Sequence, residues 1–150
     1  MSLKKWLEED SILVLGFDTT LRTPMSAINT VIMNRLMELI LAQDDSDTRK
    51  ITFFLDEFLL LGVIKLLPLF LDMARSKGVY VFLGVQTIEG LYDVYGENRG
   101  ERIASICCNK GILRTDSRKT ADWGSKTLGD AHVKQRNKSV TTSKEGIFLR

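Results

Sequence analysis

The chain has 150 residues, 44% of them hydrophobic and 27% charged, which suits one hydrophobic core and argues against two domains. Its longest apolar stretches, Phe53–Leu55 and Phe58–Ile64, end well before the roughly 20 residues a membrane span needs. Met1-Ser2-Leu3-Lys4-Lys5 leads into Trp6-Leu7-Glu8-Glu9-Asp10 and not into an apolar signal region, so a cytosolic, cytoplasmic chain is expected.

In chain order, short apolar runs alternate with longer helical patterns, the signature of an α/β fold whose mostly parallel sheet is flanked by helices. Ser11-Ile12-Leu13-Val14-Leu15-Gly16-Phe17 is the first strand candidate. Asp18-Thr19-Thr20 then supplies capping chemistry. Pro24 opens a helix whose apolar positions Ile28, Ile32, Leu36, Leu39 and Ile40 recur at three- and four-residue spacing and carry it to about Ala42. An acidic loop, Asp44-Asp45-Ser46-Asp47, leads to a second strand, Ile51-Thr52-Phe53-Phe54-Leu55, which ends in Asp56-Glu57.

A helix is predicted from about Leu66 to Lys77, entered near Pro68 and closed by Gly78. Val79–Val85 is a third strand, apolar enough to be buried on both faces. Two short helices at Ile88–Tyr95 and Arg99–Ile106 precede a fourth strand at about Cys107–Leu113, and polar Arg114-Thr115-Asp116-Ser117 reads as the N-cap of a last helix from about Arg118 to Leu128. Beyond Gly129 the chain turns polar, and Gly146–Leu149 reads as a final strand or a loose end. Cys107 and Cys108 are adjacent, without CxxC spacing or a second pair, so they read as small apolar strand residues. His132 is the only histidine and reads as a surface residue.

The chemistry concentrates at Asp56-Glu57. A buried strand that delivers two adjacent carboxylates to its carboxyl end is the Walker B arrangement of nucleotide-hydrolysing motors: the first can hold Mg²⁺ through its water shell and the second can orient or deprotonate the water that attacks a γ-phosphate. A plainer reading makes the pair the start of a loop or a helix cap. Gln86 ends the next strand at the same sheet edge, where its amide could sense a γ-phosphate. Arg75 reads either as a helix C-terminal cation favoured by the macrodipole or as an arginine finger for a neighbouring subunit. None of the eleven glycines lies in the G-x-x-x-x-G-K-[ST] phosphate loop that such a site normally uses.

These residues resemble a family, the type IV coupling proteins of bacterial conjugation and secretion, of the TraD and TrwB kind. The likeness runs through Phe54-Leu55-Asp56-Glu57-Phe58, Ala74-Arg75-Ser76-Lys77-Gly78, Gly84-Val85-Gln86, Leu91-Tyr92-Asp93-Val94-Tyr95-Gly96 and Arg114-Thr115-Asp116. It covers roughly Trp6 to Gly129. It implies a partial RecA-like P-loop NTPase fold without its Walker A strand and loop, with residues 1–130 forming the carboxyl-terminal portion of the nucleotide-binding domain and residues 131–150 a basic polar tail. It further implies that Asp56 serves the metal, Glu57 the water, Gln86 the γ-phosphate and Arg75 the adjoining subunit's nucleotide, with Arg114 a further cofactor-binding strand-end residue.

By the same resemblance, the whole protein is a hexameric ring anchored at the cytoplasmic side of the bacterial inner membrane. It would use ATP and Mg²⁺ to drive single- or double-stranded DNA, or effector protein, towards a type IV secretion channel, with relaxosome proteins as partners. The piece seen here is expected to bind no cofactor and to be inactive alone. Met1-Ser2-Leu3 resembles an engineered start, so an artificial truncation and a natural short protein stay open.

Two other readings remain. One is a DNA translocase of the FtsK or HerA type. The other is a non-enzymatic DNA- or protein-binding module, favoured by the charge division: residues 1–109 carry 11 Lys+Arg against 15 Asp+Glu, whereas residues 110–150 carry 10 against 4. A solvated basic tail accounts for the same charges.

Overall fold

A computed structural model of the chain describes residues 2–129 and the backbone of residues 140–143 and 146–149. The elements in order are α1 (Leu3–Trp6), α2 (Arg22–Leu41), β1 (Ile51–Leu55), α3 (Leu67–Met73), β2 (Val79–Leu83), α4 (Ile88–Tyr95), α5 (Glu97–Ile106), α6 (Arg118–Leu128), β3 (Val140–Ser143) and β4 (Gly146–Leu149). Among the described residues no helix is long and apolar enough to cross a membrane.

Strands β1 and β2 pair in parallel, Ile51 with Val79 through Leu55 with Leu83, and helix α3 makes the crossover between them. Alternation decides what each side of this sheet does. Phe53 and Val79 point to one face and are buried with Met37, Ile40, Leu67 and Phe70 from α2 and α3. Phe70 meets Phe53 edge to face at 5.3 Å, a geometry worth about 0.5–1.5 kcal/mol beyond its burial. On the other face Tyr80 and Phe82 are 59% and 57% exposed, and Phe82 stacks on a still barer Phe54, 75% exposed. The expectation that β2 is buried on both faces is therefore wrong here: helices of the described residues cover only one.

Two further strand expectations fail for a shared reason. Residues 11–17 are extended and alternate like a strand, with Ile12 and Val14 outside and Leu13 and Leu15 against the core. They form no ladder with β1, and a gap of about 670 Å³ separates the two. Residues 107–113 likewise form no ladder with β2; the chain bends at Asn109 and leaves Leu113 exposed. A strand needs a hydrogen-bonded neighbour as well as the right side chains, and neither segment finds one among the described residues. The cysteines change accordingly: Cys107 is half-buried, Cys108 is exposed, and neither belongs to a strand.

The helices follow their sequence signals closely. Helix α4 starts at the Thr87 cap and α6 at the Ser117 cap, each hydroxyl accepting from the backbone N–H three residues on. Pro24 and Pro68 both sit in first turns, where a missing N–H breaks no helical bond. Helix α3 stops at Met73, four residues short of the predicted Lys77, because residues 74–78 form the turn into β2. Gly78 in that turn has φ +70, and a Cβ on it would stand 2.3 Å from the Arg49 carbonyl oxygen. At the other extreme of the chain, Val140–Ser143 pairs antiparallel with Gly146–Leu149. The final strand is thus present, with a partner that the polar sequence did not announce; His132 lies outside the described residues.

Candidate functional site

The carboxyl ends of β1 and β2 open side by side, as parallel register requires, and this is where α/β sheets place their ligands. Glu57 leaves the strand in the left-handed region (φ 47, ψ 39), the only non-glycine of the described residues with positive φ. Holding a glutamate there costs about 1–2 kcal/mol. The turn that follows is firmly pinned. Phe58 is buried against the Tyr95 ring, Ser26 and Thr30 of α2 donate to the Leu60 and Leu61 carbonyls at 3.0 and 2.6 Å, and the Tyr95 hydroxyl accepts from Ile64 N–H at 3.1 Å.

Glu57 precedes a short 3-10 turn, Phe58–Leu61, yet its side chain makes no capping bond. The plain reading of the acidic pair as a helix cap therefore does not account for its carboxylate. That carboxylate is instead held across the sheet: Gln86 Nε2 donates to Glu57 Oε1 at 2.6 Å. Gly84 makes this proximity possible. Its N–H continues the ladder to Leu55 O at 2.9 Å, and a Cβ there would lie 2.7 Å from Asp56 Oδ1 and 3.4 Å from Glu57 N.

Asp56, Glu57, Gln86 and Arg114 all line one cleft of about 640 Å³ between the end of β2 and the extended segment through Arg114. Arg114 is the loosest of the four, with its side chain 91% exposed and, among the described residues, only Asp116, at 3.5 Å, as an ion-pair partner. Arg75 is not with them. It lies in the turn before β2, and the five residues of that strand, at about 3.3 Å each, put it roughly 16 Å from the carboxyl edge. It is exposed there.

Among the described residues no group of three or more His, Cys, Asp or Glu is gathered to hold a metal by itself. Asp56, an exposed oxygen donor, fits a hard cation that keeps most of its waters and arrives with phosphates, which is the habit of Mg²⁺.

One polar cluster escaped the sequence reading. Glu89, in the first turn of α4, accepts from the Ser117 hydroxyl and from Thr120 Oγ1, the latter at 2.6 Å, while Thr120 Oγ1 accepts from Ile88 N–H at 3.0 Å. Hydrogen bonds from Ser117 and then Thr120 hold the Glu89 carboxyl below its usual range. The cluster ties the start of α6 to the start of α4, and so sets the segment carrying Arg114 beside Gln86. The Ser117 cap was visible in sequence; the convergence of Ser117 and Thr120 on Glu89 across about 30 positions was not.

Comparison with known proteins gives a consistent result. A family described as the type IV secretion-system coupling protein DNA-binding domain matches residues 1–147. The coupling protein TraD of Escherichia coli (strain K12) is 31% identical over 100 residues, 63% of this chain and 13% of that protein. Among solved structures, the unbound monoclinic form of the conjugative coupling protein TrwBdeltaN70 and TrwB in complex with ADP and Mg²⁺ each align with a TM-score of 0.66 at 22% identity. Each alignment covers 71% of this chain and 26% of theirs. The fold is thus the RecA-like α/β arrangement of those neighbours, and the chain corresponds to a minor part of each relative's length.

Proposed function

Because this chain belongs to the type IV secretion-system coupling protein DNA-binding domain family, we propose that it supplies the Walker B half of an ATP site in a DNA-translocating motor and is inactive alone. The observation that carries the reading is the junction of Asp56, Glu57 and Gln86 at the carboxyl edge of two parallel strands, with Gln86 bonded to Glu57 at 2.6 Å. Its complement is a sequence without a Walker A loop. That loop's lysine and backbone N–H groups make most phosphate contacts in such sites, so the nucleotide would be held mainly by a part of the protein outside this chain.

In this mechanism Asp56 would hold the hydrated cation, Glu57 would orient the attacking water and take its proton, and the Gln86 amide would donate to the γ-phosphate. Mg²⁺, when bound, neutralises charge building on the phosphate oxygens. TrwB has been crystallised with ADP and Mg²⁺ and with a non-hydrolysable ATP analogue, which supports the same ligands here. Arg114, which lines the same cleft, would offer its guanidinium to the phosphates. Arg75, a strand's length away, acts in trans on the nucleotide of an adjoining copy in a hexameric ring. DNA meets the basic segment 110–150, while relaxosome proteins and the secretion channel meet the assembled, membrane-anchored protein.

The test uses the full-length protein, with its upstream sequence restored, in a DNA-stimulated ATPase assay. Glu57→Gln is expected to lower turnover by about a hundredfold or more, the usual range for loss of a general base. Undiminished turnover in that variant would remove Glu57 from its role.

A further inference from the structure

The hydrogen bond from Gln86 to Glu57 has a regulatory consequence for the proposed site. We propose that Gln86 is a latch on Glu57 when no triphosphate is present, and that a γ-phosphate competes with Glu57 for the same amide. Gln86 would then be a positioning residue as well as a phosphate sensor, and the base would be released by the substrate it is to act on. The inference rests on the ATP-site reading above and goes beyond it.

Three features of the strand ends support the latch. The contact is short, 2.6 Å from Gln86 Nε2 to Glu57 Oε1, as hydrogen bonds to a charged carboxylate are. It is the one side-chain hydrogen bond found for Glu57 among the described residues, so the carboxylate's position depends on it. Glu57 itself sits in a left-handed backbone conformation fixed by the buried Phe58 behind it, which aims its side chain across the sheet. Gly84 lets the two strand ends come together, since a Cβ there would push on Asp56 and the Glu57 backbone.

A carboxylate and a γ-phosphate are both anions that accept from an amide N–H. Charge repulsion keeps them from converging closely on one small group, so a triphosphate that takes the amide leaves Glu57 Oε1 free to accept from a water. A diphosphate has no γ-oxygens and leaves the latch closed. The latch therefore predicts a defined sign of coupling: Glu57 should weaken the preference for triphosphate over diphosphate by occupying Gln86.

A double-mutant cycle reads this sign. In the full-length protein, equilibrium dissociation constants would be measured for ADP and for a non-hydrolysable ATP analogue, with Mg²⁺, in the wild type, Glu57→Ala, Gln86→Ala and the double variant. Glu57→Ala is expected to raise the preference for the analogue at least threefold more when Gln86 is present than when it is alanine, with Glu57→Gln intermediate because a neutral amide oxygen accepts more weakly. Charge removal alone would raise the preference equally in both backgrounds, and that additivity would overturn the latch. A smaller rise with Gln86 present would also overturn it, showing that Gln86 bridges both anions at once. Failure of the wild type to bind either nucleotide would instead overturn the ATP-site reading, and the latch with it.

Discussion

At the amino end of the parallel sheet Lys77 and Arg49 are bonded to other atoms of the chain, while Arg75 stands exposed. Lys77 is buried and donates to the Gln43 carbonyl at 2.5 Å while pairing with Asp45 at 2.9 Å. Arg49 donates to the Asp44 and Lys77 carbonyls, and Gly78 packs its backbone onto Arg49. At the carboxyl end Asp56, Glu57 and Gln86 are exposed, one backbone is strained, and a cleft of about 640 Å³ lies alongside. Both ends bring two strands and two loops together, and both use a glycine for a close approach. The difference is in what the polar groups contact: Lys77 and Arg49 are tied to backbone carbonyls, whereas Glu57 and Gln86 hold each other at the rim of a cleft, on a backbone held in a costly conformation.

Substitutions at the two glycines would break this contrast most directly if it is wrong. Gly78→Ala forces a left-handed alanine and a Cβ 2.3 Å from a carbonyl oxygen, so stability should fall by about 2–5 kcal/mol, measured as a lower urea midpoint. Gly84→Ala is a test of the opposite end. Its Cβ meets the Asp56 carboxylate and the Glu57 backbone, so the urea midpoint should move far less than for Gly78→Ala, while DNA-stimulated ATP turnover of the full-length protein drops about ten- to a hundredfold through misplacement of the pair. Equal losses of stability at the two glycines would erase the distinction.

A smaller effect sharpens it. Hydrogen bonds from Lys77 and then Ser76, with the charge of Lys77, hold the Asp45 carboxyl below its ordinary range. Its folded-state pKa is thus depressed, so its contribution is complete above the unfolded carboxylate range, near pH 4, and is lost as pH falls through the lower folded value. Asp45→Asn should therefore lower the urea midpoint slightly at pH 7 and make it less dependent on pH below about 4. An unchanged acid dependence would mean that the ion pair at this end adds nothing to its closure.

Much of this arrangement was legible from residues alone. The bounds of α4 and α6 match the helices read at Ile88–Tyr95 and Arg118–Leu128, because caps and periodicity are local signals. The Asp56-Glu57 strand end and the Gln86 strand end were found for the same reason, and the parallel sheet then brought them to one edge. Arg75 was read either as a helix C-terminal cation or as an arginine finger for a neighbouring subunit; the fold puts it at the far end of β2, away from the carboxyl edge where the other three candidates of the strand ends lie. Glu89 went unnoticed because nothing nearby in sequence marks it, its partners Ser117 and Thr120 lying some 30 residues away.

By itself, the sequence determined which segments can be helix or strand, where the acidic pair falls, and which family the motifs resemble, since each depends on neighbours within a few positions. Only the tertiary structure decided which extended segments are strands. Residues 11–17 have the apolar composition of a strand and alternate in burial, and residues 107–113 begin and end in apolar residues, but both lack ladder partners among the described residues, while Val140–Ser143 has polar residues and does have one. It also decided that Gln86 and Glu57 touch, and that the aromatic face of β1 and β2 stands bare. Pairing, contact and burial are relations between distant parts of a chain, and no local pattern of side chains contains them.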